Sequence, residues 1–176
     1  HGNTMAALAV CFKEALTAEF RQYARQIVAN AKALAQALLE RGFVLVTGGT
    51  DNHLILIDVM KSRHIPGKAY ARALYEAGLE TNFNSIPNDP RKPFSPSGLR
   101  IGTPAVTTRG FQEPQMVQIA DWMDRVAAAR AKEGVLYGKD RDGTEYRFDE
   151  TALRKIRAEV RDLCTSGQFP VPGIDI

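Results

Sequence analysis

Sulfur and imidazole are scarce in this chain of 176 residues, which holds two cysteines and three histidines. Cys11 and Cys164 lie far apart with no CxxC spacing, which argues against a disulfide framework. Both fall in helix-like apolar patterns and are expected as reduced, buried thiols of a cytoplasmic protein. His1, His53 and His64 form no HxxxH or HxH pattern, so no metal site is expected. Long apolar runs are also missing. None approaches the roughly 18 residues of a membrane span, and the N-terminus lacks the basic region and unbroken apolar core of a signal peptide. Neither charge sign dominates: 23 Lys and Arg face 20 Asp and Glu, for a net +3. No basic run makes a stripe, so nucleic acid is not an expected partner. There is no phosphate-cradling glycine loop, no GxSxG elbow and no Cys–His nucleophile pair. Asp140-x-Asp142-Gly143 fails the spacing of a calcium loop.

What is present suffices for one well-cored domain. Met5, Leu8, Ala9, Phe12 and Leu16 recur at helical spacing and predict a helix over 4–17 with one apolar face. Phe20, Tyr23, Ile27, Val28, Ala31, Leu34, Leu38 and Leu39 predict a longer helix over 19–41, stopped by Gly42. Strands are expected at 43–46 and 53–59 around the turn cluster Gly48-Gly49-Thr50-Asp51-Asn52, where Asp51 and Asn52 are expected to serve turn hydrogen bonds. A helix over 67–76 carries Tyr70 and Leu74 inward, strands follow at 81–86 and 99–103, and Met116, Ile119, Ala120, Met123 and Val126 mark a helix ending near Lys132. An Asp-Gly turn between aromatic runs makes 135–148 a small surface hairpin. Asp149 caps a last helix with Leu153, Ile156, Val160 and Leu163 inward, and 169–173 is a non-helical tail. The order predicts a layered α/β domain, with helices on one face of a small, mostly antiparallel sheet.

The segment 81–110 is the most unusual. Pro87, Pro90, Pro93 and Pro96 recur every third residue, and Arg100 then stands between Gly98 and Gly102. Prolines stiffen the loop, and the glycines let backbone and ligand approach. A guanidinium can grip a carboxylate through two parallel hydrogen bonds. Arg100 is therefore a candidate anion-binding residue, against the duller alternative of a structural ion pair. A PxxP peptide for an SH3 domain is disfavoured, because such ligands sit in disordered tails rather than between strands.

Thr50-Asp51-Asn52-His53-Leu54, Asn84-Ser85-Ile86-Pro87-Asn88-Asp89-Pro90 and Ser97-Gly98-Leu99-Arg100-Ile101-Gly102-Thr103-Pro104-Ala105 resemble the serine hydroxymethyltransferase family, as does Phe12-Lys13-Glu14-Ala15. The resemblance runs through residues 1 to about 130 in order. It implies a C-terminal part of a fold type I, aspartate-aminotransferase-like enzyme: residues 1–41 as the end of the large domain with the linking helices, and 42–176 as the small domain. It implies pyridoxal 5'-phosphate as cofactor and transfer of a one-carbon unit between serine and tetrahydrofolate, giving glycine, by a homodimer or larger assembly. Arg100 would hold the substrate carboxylate, and Asn84, Lys92, Pro93 and Phe94 would lie at the folate.

The family's Schiff-base lysine belongs to a Thr-rich run ending His-Lys, and its Gly-Gly-Pro phosphate contact would immediately precede His1. Neither is in this sequence, which is expected to be a catalytically dead piece of a longer polypeptide. The hairpin 135–148 looks like an insertion relative to shorter members, with no role assigned. Two other readings remain open at this point: a related fold type I aldolase or aminotransferase, and a non-enzymatic binding module.

Overall fold

The computed structural model describes residues 1–140 and 142–169. Of the tail expected at 169–173, only Phe169 falls among them, and Arg141 of the hairpin turn does not. Helix α1 (Gly2–Ala15) leads to α2 (Ala18–Glu40). The Thr17 side chain caps α2 by accepting from the Phe20 amide at 3.1 Å. Gly42, at φ +77°, ends it, with the Phe43 amide donating back to the Leu38 carbonyl at 3.0 Å.

Strands β1 (Val44–Leu45) and β2 (Leu54–Asp58) follow, then a short α3 (Val59–Arg63), α4 (Gly67–Glu76), β3 (Asn82–Asn84) and β4 (Gly98–Gly102). They form one antiparallel sheet in the order β1-β2-β4-β3. Next come α5 (Pro104–Thr108) and α6 (Glu113–Ala128). A second antiparallel sheet, ordered β5-β7-β6, is built from β5 (Arg130–Ala131), β6 (Val135–Lys139) and β7 (Glu145–Phe148), and α7 (Glu150–Thr165) closes the described chain. The expected α/β layering with a small antiparallel sheet is present.

The first sheet has one wet face, as antiparallel sheets commonly do. Ile55 and Ile57 of β2 and Leu99 of β4 point inward, fully buried. Above them pack Leu34 and Leu38 of α2, Tyr70 and Leu74 of α4, and Met116, Ala120 and Met123 of α6 in one continuous core. The buried Tyr70 hydroxyl donates to the Met123 carbonyl at 2.6 Å, tying α4 to α6. Asn30, also buried, donates to the Thr107 hydroxyl at 2.9 Å and the Phe111 carbonyl at 2.8 Å, so its burial leaves no amide hydrogen unmet there. Between α6 and α7, Glu159 accepts from the Trp122 indole at 2.8 Å and from both ends of the Arg125 guanidinium at 2.6 Å.

Several expectations need correcting. The short α3, α5 and β5 were not predicted, because elements of two to five residues give periodicity no room to show. Helix α1 forms but buries none of its residues, and Cys11 is exposed rather than buried. Amphipathic spacing reports that an apolar face exists, not that this chain covers it. Cys164 is half-buried.

The hairpin at 135–148 is no mere surface feature. Tyr146 and Phe148 are buried in the main core, and Tyr137 packs edge-on against Phe148 at 5.7 Å. Gly138 brings β6 against α4, where a Cβ would stand 3.1 Å from that of Ala69. Asp149 then caps α7 as expected, accepting from the Thr151 amide at 2.8 Å. Phe148→Ala is expected to destabilise the chain by about 3–5 kcal/mol, read as the shift in urea-unfolding free energy. A truly peripheral hairpin would lose less than about 1 kcal/mol.

Candidate functional site

Alternation along β4 sets the site. With Leu99 turned into the core, Arg100 must leave by the opposite face. Register places Leu56 of β2 and Asn82 of β3 on either side of Arg100, and Asn84 two residues on along the same face. The turn between β1 and β2 rises beside them. Its shape is self-made: the Thr47 hydroxyl donates to the Gly49 carbonyl at 2.7 Å, and the Thr50 hydroxyl to the Leu54 carbonyl at 2.6 Å. The Asn52 side chain accepts from the Leu54 amide at 2.7 Å, the turn role expected of it. Asp51, expected to share that role, makes no side-chain hydrogen bond among the described residues.

Sheet and turn together enclose an open cleft of about 650 Å³, lined by Thr47 to Asn52, Leu54, Leu56, Asn84 and Arg100. Among the described residues Arg100 forms no ion pair and no side-chain hydrogen bond, although it is exposed at the cleft. By contrast Arg63, Arg91 and Arg125 all grip carboxylates. An arginine fixed on a strand and left without a partner can receive an anion without first breaking a contact.

The cleft lining contains no lysine among the described residues. It therefore does not fit covalent attachment of an aldehyde cofactor, and this chain contributes no Schiff-base partner there. No cluster of three or more metal-ligating side chains occurs among the described residues either.

Of the other candidates, Asn84 joins Arg100 in the cleft, its side-chain amide donating to the Ser85 carbonyl at 3.3 Å. Lys92, Pro93 and Phe94 do not join it. They stand on the outer part of the proline loop, where Lys92 and Phe94 line a separate groove of about 380 Å³ with Arg91, Ser95 and Asp140. Phe94 is 80 % exposed.

The loop owes its shape to Asp89 more than to proline alone. The Asp89 carboxylate accepts from the amides of Ile86 at 3.3 Å, Arg91 at 2.9 Å and Ser97 at 2.9 Å, and from the Ser97 hydroxyl at 2.7 Å. Asn88 adopts the left-handed region at φ 55°, a conformation Asn tolerates better than most residues. Burial would raise the Asp89 pKa, but the Ser97 hydroxyl and the three amides outweigh it and hold the carboxyl below its usual range. Sequence reading missed Asp89 as the loop's centre. The signal was there, because an Asp between prolines commonly bonds the backbone two residues on.

A family model described as serine hydroxymethyltransferase matches residues 1–123 of this chain. The chain belongs to the serine hydroxymethyltransferase family. It is 51% identical to the serine hydroxymethyltransferase of Acidothermus cellulolyticus over 99% of this chain and 38% of that protein. It is 53% identical to the Sorangium cellulosum enzyme, over 99% of this chain and 36% of that one. The protein named serine hydroxymethyltransferase 2 in Mesorhizobium japonicum is 48% identical over the same share of the chain. The chain thus spans little more than a third of the length of these relatives. The family model stops before β5, β6, β7 and α7, whereas the Acidothermus and Sorangium relatives align across nearly the whole chain.

The depressed Asp89 carboxyl makes a pH prediction. A group whose folded pKa is lowered contributes stability that is complete above its unfolded value, about 3.9, and that is lost as pH falls through the folded value. Asp89→Asn is expected to lower the melting temperature at pH 7. Its deficit against the unmodified chain should shrink as pH drops below about 4. A deficit that stays constant from pH 7 to pH 3 would remove Asp89 ionisation from the account.

Proposed function

We propose that this chain is the C-terminal part of a cytoplasmic serine hydroxymethyltransferase, carrying the substrate-gripping half of a site completed by the rest of the protein and by a partner subunit. The reaction is reversible transfer of a one-carbon unit between serine and tetrahydrofolate. In this reading residues 1–41 belong to the end of the large domain and its linking helices, and 42–176 form the small domain. Pyridoxal 5'-phosphate, the electron sink of this chemistry, is held by groups outside this chain.

The observation that carries the reading is Arg100, exposed at the cleft without a side-chain partner among the described residues and fixed by strands on both sides. It holds the amino-acid carboxylate through its two-pronged guanidinium and so orients the reacting carbon. Asn84, on the same wall, and Lys92, Pro93 and Phe94, on the outer loop, serve the folate. Their separation into two recesses suits an extended cosubstrate better than a compact one.

In the full-length protein, Arg100→Ala is expected to weaken serine binding by about 2–5 kcal/mol, because it removes one partner of a desolvated charge pair. Bound cofactor, read from its visible absorbance, should be retained. An unchanged serine KM would overturn the assignment. The chain of 176 residues by itself, mixed with pyridoxal phosphate, serine and tetrahydrofolate, is expected to yield no glycine above a protein-free blank, and steady turnover would contradict the half-site reading.

A further inference from the structure

The proline loop is held from a second side, and the clamp comes from the hairpin that carries no assigned role. At the tip of that hairpin the Asp140 carboxylate receives both ends of the Arg91 guanidinium, at 2.9 and 2.5 Å. The Tyr146 hydroxyl donates to the same carboxylate at 2.9 Å. Arg91 also reaches the opposite end of its own turn, donating from Nε to the Ser95 carbonyl at 2.9 Å and from the guanidinium to the Ser95 hydroxyl at 3.2 Å. Lys92, Pro93 and Phe94 are the three residues that this staple encloses.

We propose that the β6–β7 hairpin is a positioning strut for the cosubstrate-side loop, with Asp140 and Arg91 as its latch. The proposal rests on the assignment of Lys92, Pro93 and Phe94 to the folate.

Three features make the hairpin suitable as a strut rather than a chance neighbour. Its base is rigid, because Tyr146 and Phe148 are buried in the core. Its flank is fixed to α4, through the close approach of Gly138 to Ala69 and the Arg72 guanidinium donating to the Tyr137 carbonyl at 3.2 Å. Its tip is preorganised, since the Asp140 amide donates to the Thr144 carbonyl at 2.9 Å and the Gly143 amide to the Asp140 carbonyl at 3.1 Å. A strut of this kind lowers the entropy the loop must lose when it closes on a ligand.

The groups facing the latch are mixed in sign. Arg130 lies over the Tyr146 ring at 5.1 Å, Lys139 pairs with Glu145 at 3.2 Å, and Asp89 belongs to the same loop as Arg91. The Arg91 hydrogen bonds outweigh burial and hold the Asp140 carboxyl below its usual range, whereas burial and the bond to Asp140 push the Tyr146 hydroxyl up to about 12. Asp140 and Arg91 therefore both carry their charges throughout the neutral range.

The test uses the full-length protein with Asp140→Asn, Arg91→Lys, their double variant and Tyr146→Phe. Amide hydrogen exchange over 91–95 is expected to accelerate in each. The KM for tetrahydrofolate should rise about fivefold, the scale of one partly exposed charge pair, with serine binding and kcat unchanged. The double variant should be no worse than the poorer single variant, as for two halves of one contact. Phe94→Ala serves as the reference for the loop itself.

Unchanged exchange over 91–95 would overturn the latch, whatever the loop binds. Faster exchange with an unaltered tetrahydrofolate KM, while Phe94→Ala does raise it, would overturn the strut and leave the folate assignment standing. If neither the latch variants nor Phe94→Ala moves that KM, the folate assignment fails and the strut proposal with it. A fall in kcat and in serine affinity together would mark general damage rather than positioning, and would also overturn the proposal.

Discussion

In β4 the side chain of Leu99 is completely buried, and that of its neighbour Arg100 is exposed on the opposite face. The pleat forces them onto opposite faces, so the contact that secures the sheet to its helices is also what presents the guanidinium. A slip of one residue in register would bury the charge and expose the leucine together. Ile55 and Ile57 on β2 oppose such a slip from one side, with Leu99 paired to Ile57. On the other side Gly98 sits so close to the Asn84 carbonyl, where an added Cβ would come within 2.6 Å, that only this pairing places a residue without a side chain there. Site geometry and core packing are thus one constraint.

Around this fixed strand the polar groups work in two registers. The turn at Thr47 to Asn52 and the loop around Asp89 satisfy themselves with short internal hydrogen bonds, and they need little from the core. The ion pairs act over longer distances. Arg91 with Asp140 joins two loops, and Arg125 with Glu159 joins two helices. Among the described residues Arg100 belongs to neither group, whereas Arg63, Arg91 and Arg125 are all engaged.

Most of the fold was legible because most of its elements are long or strongly patterned. The helix over 67–76 was read at its observed bounds from the inward Tyr70 and Leu74 and the stop at Ala77-Gly78-Leu79, and Asp149 announced α7 by its capping chemistry. The short α3, α5 and β5 were not legible, since they are built by tertiary contacts. Arg100 could be nominated from its flanking glycines, whereas Asn84, its companion in the cleft, was named only through the family resemblance. Thr47 and Leu56 reach the cleft only through strand register. Asp140 meets Arg91 only because a hairpin 49 residues later packs on α4. The hairpin was misjudged as peripheral because an Asp-Gly turn between aromatics reveals the turn and not what the aromatics pack against.

The seam between α6 and α7 has a practical side. The chain holds a single tryptophan, Trp122, almost fully buried and hydrogen-bonded to Glu159. Its emission reports on that seam and on nothing in the cleft, whose lining does not include it. Intrinsic fluorescence will therefore follow global unfolding well, while the cleft that Arg100 lines lies outside its reach. A spectroscopic view of the cleft requires an extrinsic dye or a tryptophan introduced at its rim.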